Sequence, residues 1–334
     1  MDDTTTYDNL TGNERQVSPL PFWLTSIHVI VEVVLIIFIA FGNMLIIRSF
    51  FKFSKLQTTT NVFIVALAIG DFVVGAFGIP FGLVASHIAN YMGEAGYAIS
   101  DNKICCQVRT ILLVVPLGSS VFSLCAVSID RHIAVTKPLR YHAIMTHTKA
   151  VLICVCIVVY MFGLTILGLT AFYVWNTTTA CRLNNTASSS YNTVIKLHIG
   201  ILYGIACALY IHIGIIAVQQ RKKVCAIDPM AEMQFKKDNK ITKMMMFVLG
   251  VFLLTWSPYI IFGSITSNPE PVWLTSANYF AIEIAYANSM MNPLIYASRN
   301  KAFNTAFREL LGLRPKFDKE GTEISYDKDN GSST

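Results

Sequence analysis

Seven stretches of about twenty or more mostly apolar residues run through this chain, at roughly 24–48, 59–85, 104–136, 148–175, 195–220, 240–266 and 272–298. Each is long enough to cross a bilayer as a helix. A backbone in lipid must satisfy its own hydrogen bonds, so runs of this length restrict the chain to a bundle of spanning helices. Composition agrees: 54% of the 334 residues are hydrophobic and 14% are charged, too little charge to cover a soluble domain of this size. A large soluble all-α core would need shorter and less apolar segments. The fold class expected is an all-α membrane protein, a seven-transmembrane helix bundle followed by a short amphipathic eighth helix.

Positive charge orients the bundle. With the N-terminus outside, Arg48, Lys52 and Lys55 fall in the first inner loop, and Arg131, Lys137, Arg140 and Lys149 in or beside the second. Seven more lie between Arg221 and Lys243 and seven from Arg299 to Lys328. That places 21 of the 26 Lys and Arg inside and 5 outside (Arg15, Lys103, Arg109, Arg182, Lys196), the bias that sets membrane topology. The net charge of +6 therefore reads as topology and not as nucleic-acid contact. Glycosylation sequons at Asn9, Asn176 and Asn184 all land on the outer side. A fourth at Asn330 falls inside and is discounted. Residues 1–20 are polar and acidic, without a signal-peptide core, so the first span is expected to act as its own anchor. The expected division is an extracellular tail at 1–23, a transmembrane domain at 24–298, an amphipathic helix at 299–311 and a disordered cytoplasmic tail at 312–334. The lipid bilayer is the first partner, and the plasma membrane the expected location.

Ionisable and amide side chains in mid-bilayer cost roughly 2.5–3.5 kcal/mol on insertion scales, so each needs a reason. Here they are Asn43 in the first span, Asp71 in the second, Asp130-Arg131-His132 ending the third, and Asn288, Ser289, Asn292 and Tyr296 along the seventh. Singly, each is explained by a helix-packing hydrogen bond. Their order and placement are not accounted for that way.

The set resembles the rhodopsin-like (class A) G-protein-coupled receptors from residue 24 to about 312. Gly42-Asn43, LAxxD ending at Asp71, Asp130-Arg131-His132 for the usual DRY, TWSP at 255–258 for CWxP, and NPLIY at 292–296 carry the likeness, at the family's mutual spacing. The resemblance implies a receptor that binds an extracellular ligand, a small molecule in the first instance, and activates heterotrimeric G proteins by outward movement of its sixth helix. Arrestin and a receptor kinase are further implied partners.

The physics of the motifs is direct. Arg131 is a permanent cation with rigid donors, expected to pair with Asp130 and, across the bundle, with Asp238 at the foot of the sixth helix. Asp238 alternatively belongs to a solvated charged loop, FKKDNK. Tyr210 and Tyr296 look like the two tyrosines that swing inward on activation. Asp71, Ser120, Asn288, Ser289 and Asn292 are hard oxygen donors. In resembling receptors such a cluster holds a sodium ion that stabilises the inactive state, and a water-filled polar network is the alternative. No cofactor is otherwise expected. Pro258 lacks a backbone N–H and kinks the sixth helix, which puts Trp256 on the floor of the outer pocket and Phe252 one turn below.

Eight cysteines divide by side. Cys105, Cys106 and Cys181 face the oxidising exterior, and the resemblance pairs Cys106 with Cys181 in a disulfide and leaves Cys105 over. The amphipathic stretch 301–311, with Phe303, Phe307 and Leu310 on one face, is expected to lie on the membrane.

Within the family the texture is closest to adenosine receptors, in IVEVVLIIFIAFGN with its Glu32, in SSVFSLCAVSIDRHIAVTKPLRY and in FGLTILGL. The purine-binding residues are not retained. Gly263 stands for the asparagine that grips the purine, Leu183 and Asn184 for the outer-loop phenylalanine and glutamate, and Tyr286 for the histidine partner of Glu32. Leu113 replaces the aspartate of amine receptors, and Tyr286 the lysine of retinal-binding opsins. The expected ligand pocket is Leu113, Val114, Leu183, Trp256, Tyr259, Ile260, Gly263, Ile282, Tyr286 and Glu32, ringed by Arg109, Lys196 and His198. A peptide or lipid ligand is the alternative. An enzyme would need a nucleophile, base or metal cluster, and none is spaced for it; a transporter would need repeats and broken helices. Two carboxylates lack an obvious cation. Glu32 and Glu283 sit in the outer parts of neighbouring helices, where they either meet and titrate as a unit or point apart.

Overall fold

Helices form along the apolar runs because a spanning helix closes every backbone hydrogen bond within itself. The computed structural model describes residues 20–87, 102–137, 140–174, 187–224, 229–263, 265 and 271–313. Helix α1 is Phe22–Lys52. A 3-10 turn, Ser54–Leu56, leads to α2, a continuous rod in three parts: α-helix Thr59–Val73, a π turn Val74–Gly78 and α-helix Ile79–Ser86. Then come α3 (Lys103–Thr136), a single turn Tyr141–Ile144, α4 (His147–Thr170), α5 (Ser189–Val224), α6 (Pro229–Phe262), α7 (Val272–Arg299) and α8 (Lys301–Leu310).

Short polar side chains start these helices by accepting from exposed N–H groups. Asn102 does this for α3, Thr146 for α4 and Asn300 for α8. The π turn in α2 sits just ahead of Pro80, which has no N–H to give and whose ring would strike the carbonyl one turn back. Glycine is needed within it. A Cβ on Gly75 would lie 2.6 Å from Cγ2 of Ile39, and one on Gly78 2.7 Å from Cδ2 of Leu113, so α2 can approach both α1 and α3.

The helices pack as a ring around α3, which touches α2, α4, α5 and α6, while α7 closes the ring between α6 and α1. Polarity is inverted relative to a soluble protein. Leu254 is 75% exposed and Ile30 63%, while Asn43, Asp71, Asp130 and Asn292 are buried, as a lipid-facing bundle requires. Among the described residues five helices, α1 to α5, are long and apolar enough to cross a membrane. Helix α6 adds a shorter apolar stretch, Met246–Phe262. Helix α7 is less apolar because Glu283, Asn288, Ser289 and Asn292 occupy its buried face.

Helix α8 packs two of its apolar side chains inward: Phe303 and Phe307 are buried, and the Phe303 ring lies 5.8 Å from that of Tyr296. Lys52 and Glu309, 3.3 Å apart, tie α8 to α1.

Candidate functional site

The inner end of α3 carries a closed polar knot. Arg131 donates through Nε and Nη2 to Oδ2 of Asp130, at 3.0 and 2.7 Å. Nη2 also donates to the Thr60 hydroxyl and, at 3.2 Å, to Tyr141 Oη. Thr60 and Tyr141 each donate in turn to Asp130, at 3.0 and 2.8 Å. Asp130 and Arg131 are buried, so these bonds are charge-assisted in a low-dielectric setting. Burial first, and the Asp130 charge after it, push the Tyr141 phenol above its ordinary value, which keeps its hydroxyl a donor. Thr60 and Tyr141 were not read from the sequence. They come from α2 and the inner loop, and no spacing along α3 points to them. The Asp238 side chain lies outside the described residues. His132, in the position of the usual tyrosine, faces His212 of α5 with Nε2 and Nδ1 2.8 Å apart.

In mid-bundle the Asp71 carboxylate accepts from Ser289 Oγ at 2.7 Å, Asn292 Nδ2 at 2.8 Å and Ser120 Oγ at 3.5 Å. Asn288 is buried nearby on α7 but does not bond Asp71; its Oδ1 and that of Asn292 find no partner among the described residues. Asn43 joins α1 to this group by donating to the backbone oxygen of Ser289 at 3.0 Å. Two orphaned carbonyl oxygens, two hydroxyls and a carboxylate suit a small hard cation, so the donor set fits sodium.

Above this level a cavity of about 380 Å³ opens between α3, α4, α5 and α6. Val114, Phe252, Trp256, Tyr259, Ile260 and Gly263 line it, with Lys196 and His198 as polar groups on α5. The remaining expected pocket residues that the structure describes do not line this cavity. Leu113 and Tyr286 are buried in a separate apolar cluster with Leu35, Ile39, Val74 and Leu117, against which Ile282 packs. Glu32 is buried on α1, and Leu183 lies outside the described residues. The sequence reading missed the α4 side of the cavity, Met161, Leu164 and Thr165 among its lining, because nothing in α4 but small and apolar residues marks it.

Trp256 joins two regions. It packs against both apolar clusters and stacks on Phe252, ring centroids 5.4 Å apart and 12° between planes. Phe252, Tyr210 and Tyr296 are buried in the inner cluster, and Pro258 lies within α6 two residues on.

Cys106 is disulfide-bonded, and Cys105, Cys125, Cys154, Cys156 and Cys207 are free. Cys181 and the sequon residues Asn9, Asn176 and Asn184 lie outside the described residues. At the outer end, Glu283 and Glu32 each meet a histidine the sequence reading did not use. His28 Nδ1 is 2.7 Å from Oε1 of Glu283, and His87 Nε2 is 3.7 Å from Oε1 of Glu32.

Residues 42–296 match the family model for the 7 transmembrane receptor (rhodopsin family). Among curated relatives, adenosine receptor A2b of Mus musculus is 29% identical over 315 residues, covering 86% of this chain and 90% of its own. Adenosine receptor A2a of Homo sapiens is 28% identical, with 87% and 74% covered, and that of Equus caballus 31% identical, with 85% and 72% covered.

Proposed function

Because the chain belongs to the rhodopsin family of seven-transmembrane receptors, related to the adenosine receptors, we propose that it binds a small, largely apolar extracellular ligand and activates heterotrimeric G proteins. The observation that carries the reading is Trp256. It lies on the cavity wall and on Phe252 at once, so a ligand that shifts the indole repacks the inner cluster holding Tyr210 and Tyr296. The kink at Pro258 lets α6 swing outward, away from Arg131, whose release from Asp130 opens the crevice for the G protein. Asp238 on α6 is a second anion that holds Arg131 before activation. The N-terminus is outside, the C-terminus in the cytoplasm of a plasma-membrane protein, and arrestin and a receptor kinase act on the inner face.

A sodium ion held by Asp71, Ser120, Asn288, Ser289 and Asn292 supplies a fixed positive charge that favours the resting arrangement. The Cys106–Cys181 disulfide ties α3 to the second outer loop, and Asn9, Asn176 and Asn184 carry glycans. The relatives' names say adenosine, but Gly263 leaves no amide to grip a purine, so adenosine is not the ligand proposed.

Ligand-independent G-protein recruitment in transfected cells tests the reading. Wild type recruits above background, and Trp256→Ala changes recruitment at matched surface expression. Absence of recruitment, together with no hit in cAMP and calcium screens across ligand classes, overturns it.

A further inference from the structure

The outer ends of α1, α2 and α7 enclose four titratable side chains that the proposed mechanism leaves unused. His28 and Glu32 lie one turn apart on α1, His87 just past the end of α2, and Glu283 on α7. All four are buried. They form two histidine–carboxylate pairs in different states. His28 and Glu283 stand at hydrogen-bond distance, 2.7 Å. His87 and Glu32 stand at 3.7 Å, beyond a hydrogen bond. The imidazoles of His28 and His87 are nearly parallel, 12° between planes with centroids 5.9 Å apart, and Tyr279 packs on both, at 5.4 and 4.8 Å. Nε2 of each histidine and Oε2 of each glutamate find no hydrogen-bond partner among the described residues.

Buried polar atoms without partners are costly, and a neutral imidazole beside a buried carboxylate leaves that charge unpaired. One added proton on His87 turns the open pair into an ion pair and draws Glu32 and His87 to contact. The neighbouring groups allow this. Tyr279 and Tyr286 face the cluster from α7, and Arg109 of α3 lies against Gly82, its Nε 3.3 Å from where a Cβ would stand. Glu283 of α7 is already engaged by His28. No group of three or more His, Cys, Asp and Glu is arranged to hold a metal ion among the described residues, which leaves the proton as the species the cluster suits.

A continuous path leads inward. On α7, Glu283, Tyr286, Ser289, Asn292 and Tyr296 recur every three or four residues and share one buried face. On α1, His28, Glu32, Leu35, Ile39 and Asn43 do the same. The two stripes meet where Asn43 donates to Ser289 and Ser289 to Asp71. The open pair coexists with an Arg131 held by Asp130. A state in which the outer pair closes therefore gains most from the proton, and protons shift the population toward it.

We propose that His87 and Glu32, with His28 and Glu283, form an extracellular proton-binding site through which external acidification raises signalling. The signalling half rests on the receptor reading above. In cells expressing the full chain, G-protein activation is expected to rise as external pH falls from about 8 to about 5.5, the range an imidazole spans. His87→Gln and Glu32→Gln are each expected to move the half-maximal pH by about one unit, tenfold in proton affinity, or to flatten the response. A second arm needs no G protein: the unfolding midpoint of the purified full chain, followed against pH, is expected to diverge between wild type and either variant. Parallel profiles for all three in both arms overturn the proposal. Divergent unfolding with a flat wild-type response overturns its signalling half and leaves the binding site standing. A pH response abolished by a chelator assigns the site to a metal and overturns the proton reading.

Discussion

The two ends of the bundle hold their buried charges differently. At the inner end Asp130 and Arg131 make four hydrogen bonds with two partners, Thr60 and Tyr141. At the outer end four buried ionisable groups share one short contact, and four of their polar atoms are unmatched among the described residues. A satisfied cluster resists change, since every bond broken exposes a desolvated charge. An unsatisfied one has capacity to take something up. The inner end is built as a latch, and the outer end as a receiver.

The largest expected effect is at the latch. Arg131→Ala leaves Asp130 buried without its cation, a loss of about 3–5 kcal/mol read as a fall in the unfolding midpoint of the purified receptor. Asp130→Ala on the same background is expected to restore much of it. An Arg131→Ala protein as stable as wild type breaks the contrast between the two ends. Asp71→Asn comes next, at the level where the two helical stripes meet. The amide keeps the hydrogen-bonding shape but removes the charge, so signalling should lose its sensitivity to sodium while surface expression holds. Salt-dependent signalling in this variant means that Asp71 does not hold the ion.

Tyr141→Phe sharpens the comparison at the scale of a single hydroxyl. Losing its bonds to Asp130 and Arg131 costs the latch about 1 kcal/mol, so basal G-protein activity should rise roughly fivefold at matched expression. The smallest effect belongs to the pair outside either cluster. Lys52 and Glu309 are 44% and 35% exposed, and Lys52→Ala should move stability by less than about 0.5 kcal/mol. A larger shift in thermal unfolding makes α8 more than a packed cover over Tyr296.

Helix number and the inward polar residues were legible in the sequence because both are local: an apolar run of spanning length, or an amide inside one, is visible without knowing its neighbours. The partners across the bundle were not. Tyr141 closes the latch from a loop, and His87 reaches Glu32 from another helix. Lateral adjacency of that kind leaves no mark in spacing. His28 was within reach, since it lies four residues before Glu32 on the same helical face. The cavity was half legible. Its α6 wall follows from Trp256 and Pro258, but its α4 wall is made by Met161 and Thr165, which look like ordinary packing residues. The apolar face of α8 was visible, though not which apolar surface it would cover.

The π turn at Val74–Gly78 sets a phase. It fits one more residue into a turn than an α-helix does, and one residue in an α-helix is about 100° of rotation. The segment beyond it, Ile79–His87, therefore points where it does because of a single extra unit in the count. Wound as regular α-helix with the same residues, this stretch would turn every outer side chain of α2 by about a quarter of a circle, carrying His87 away from Glu32. Winding alone, with no change of residue type, can thus silence or create contacts at the mouth of the bundle.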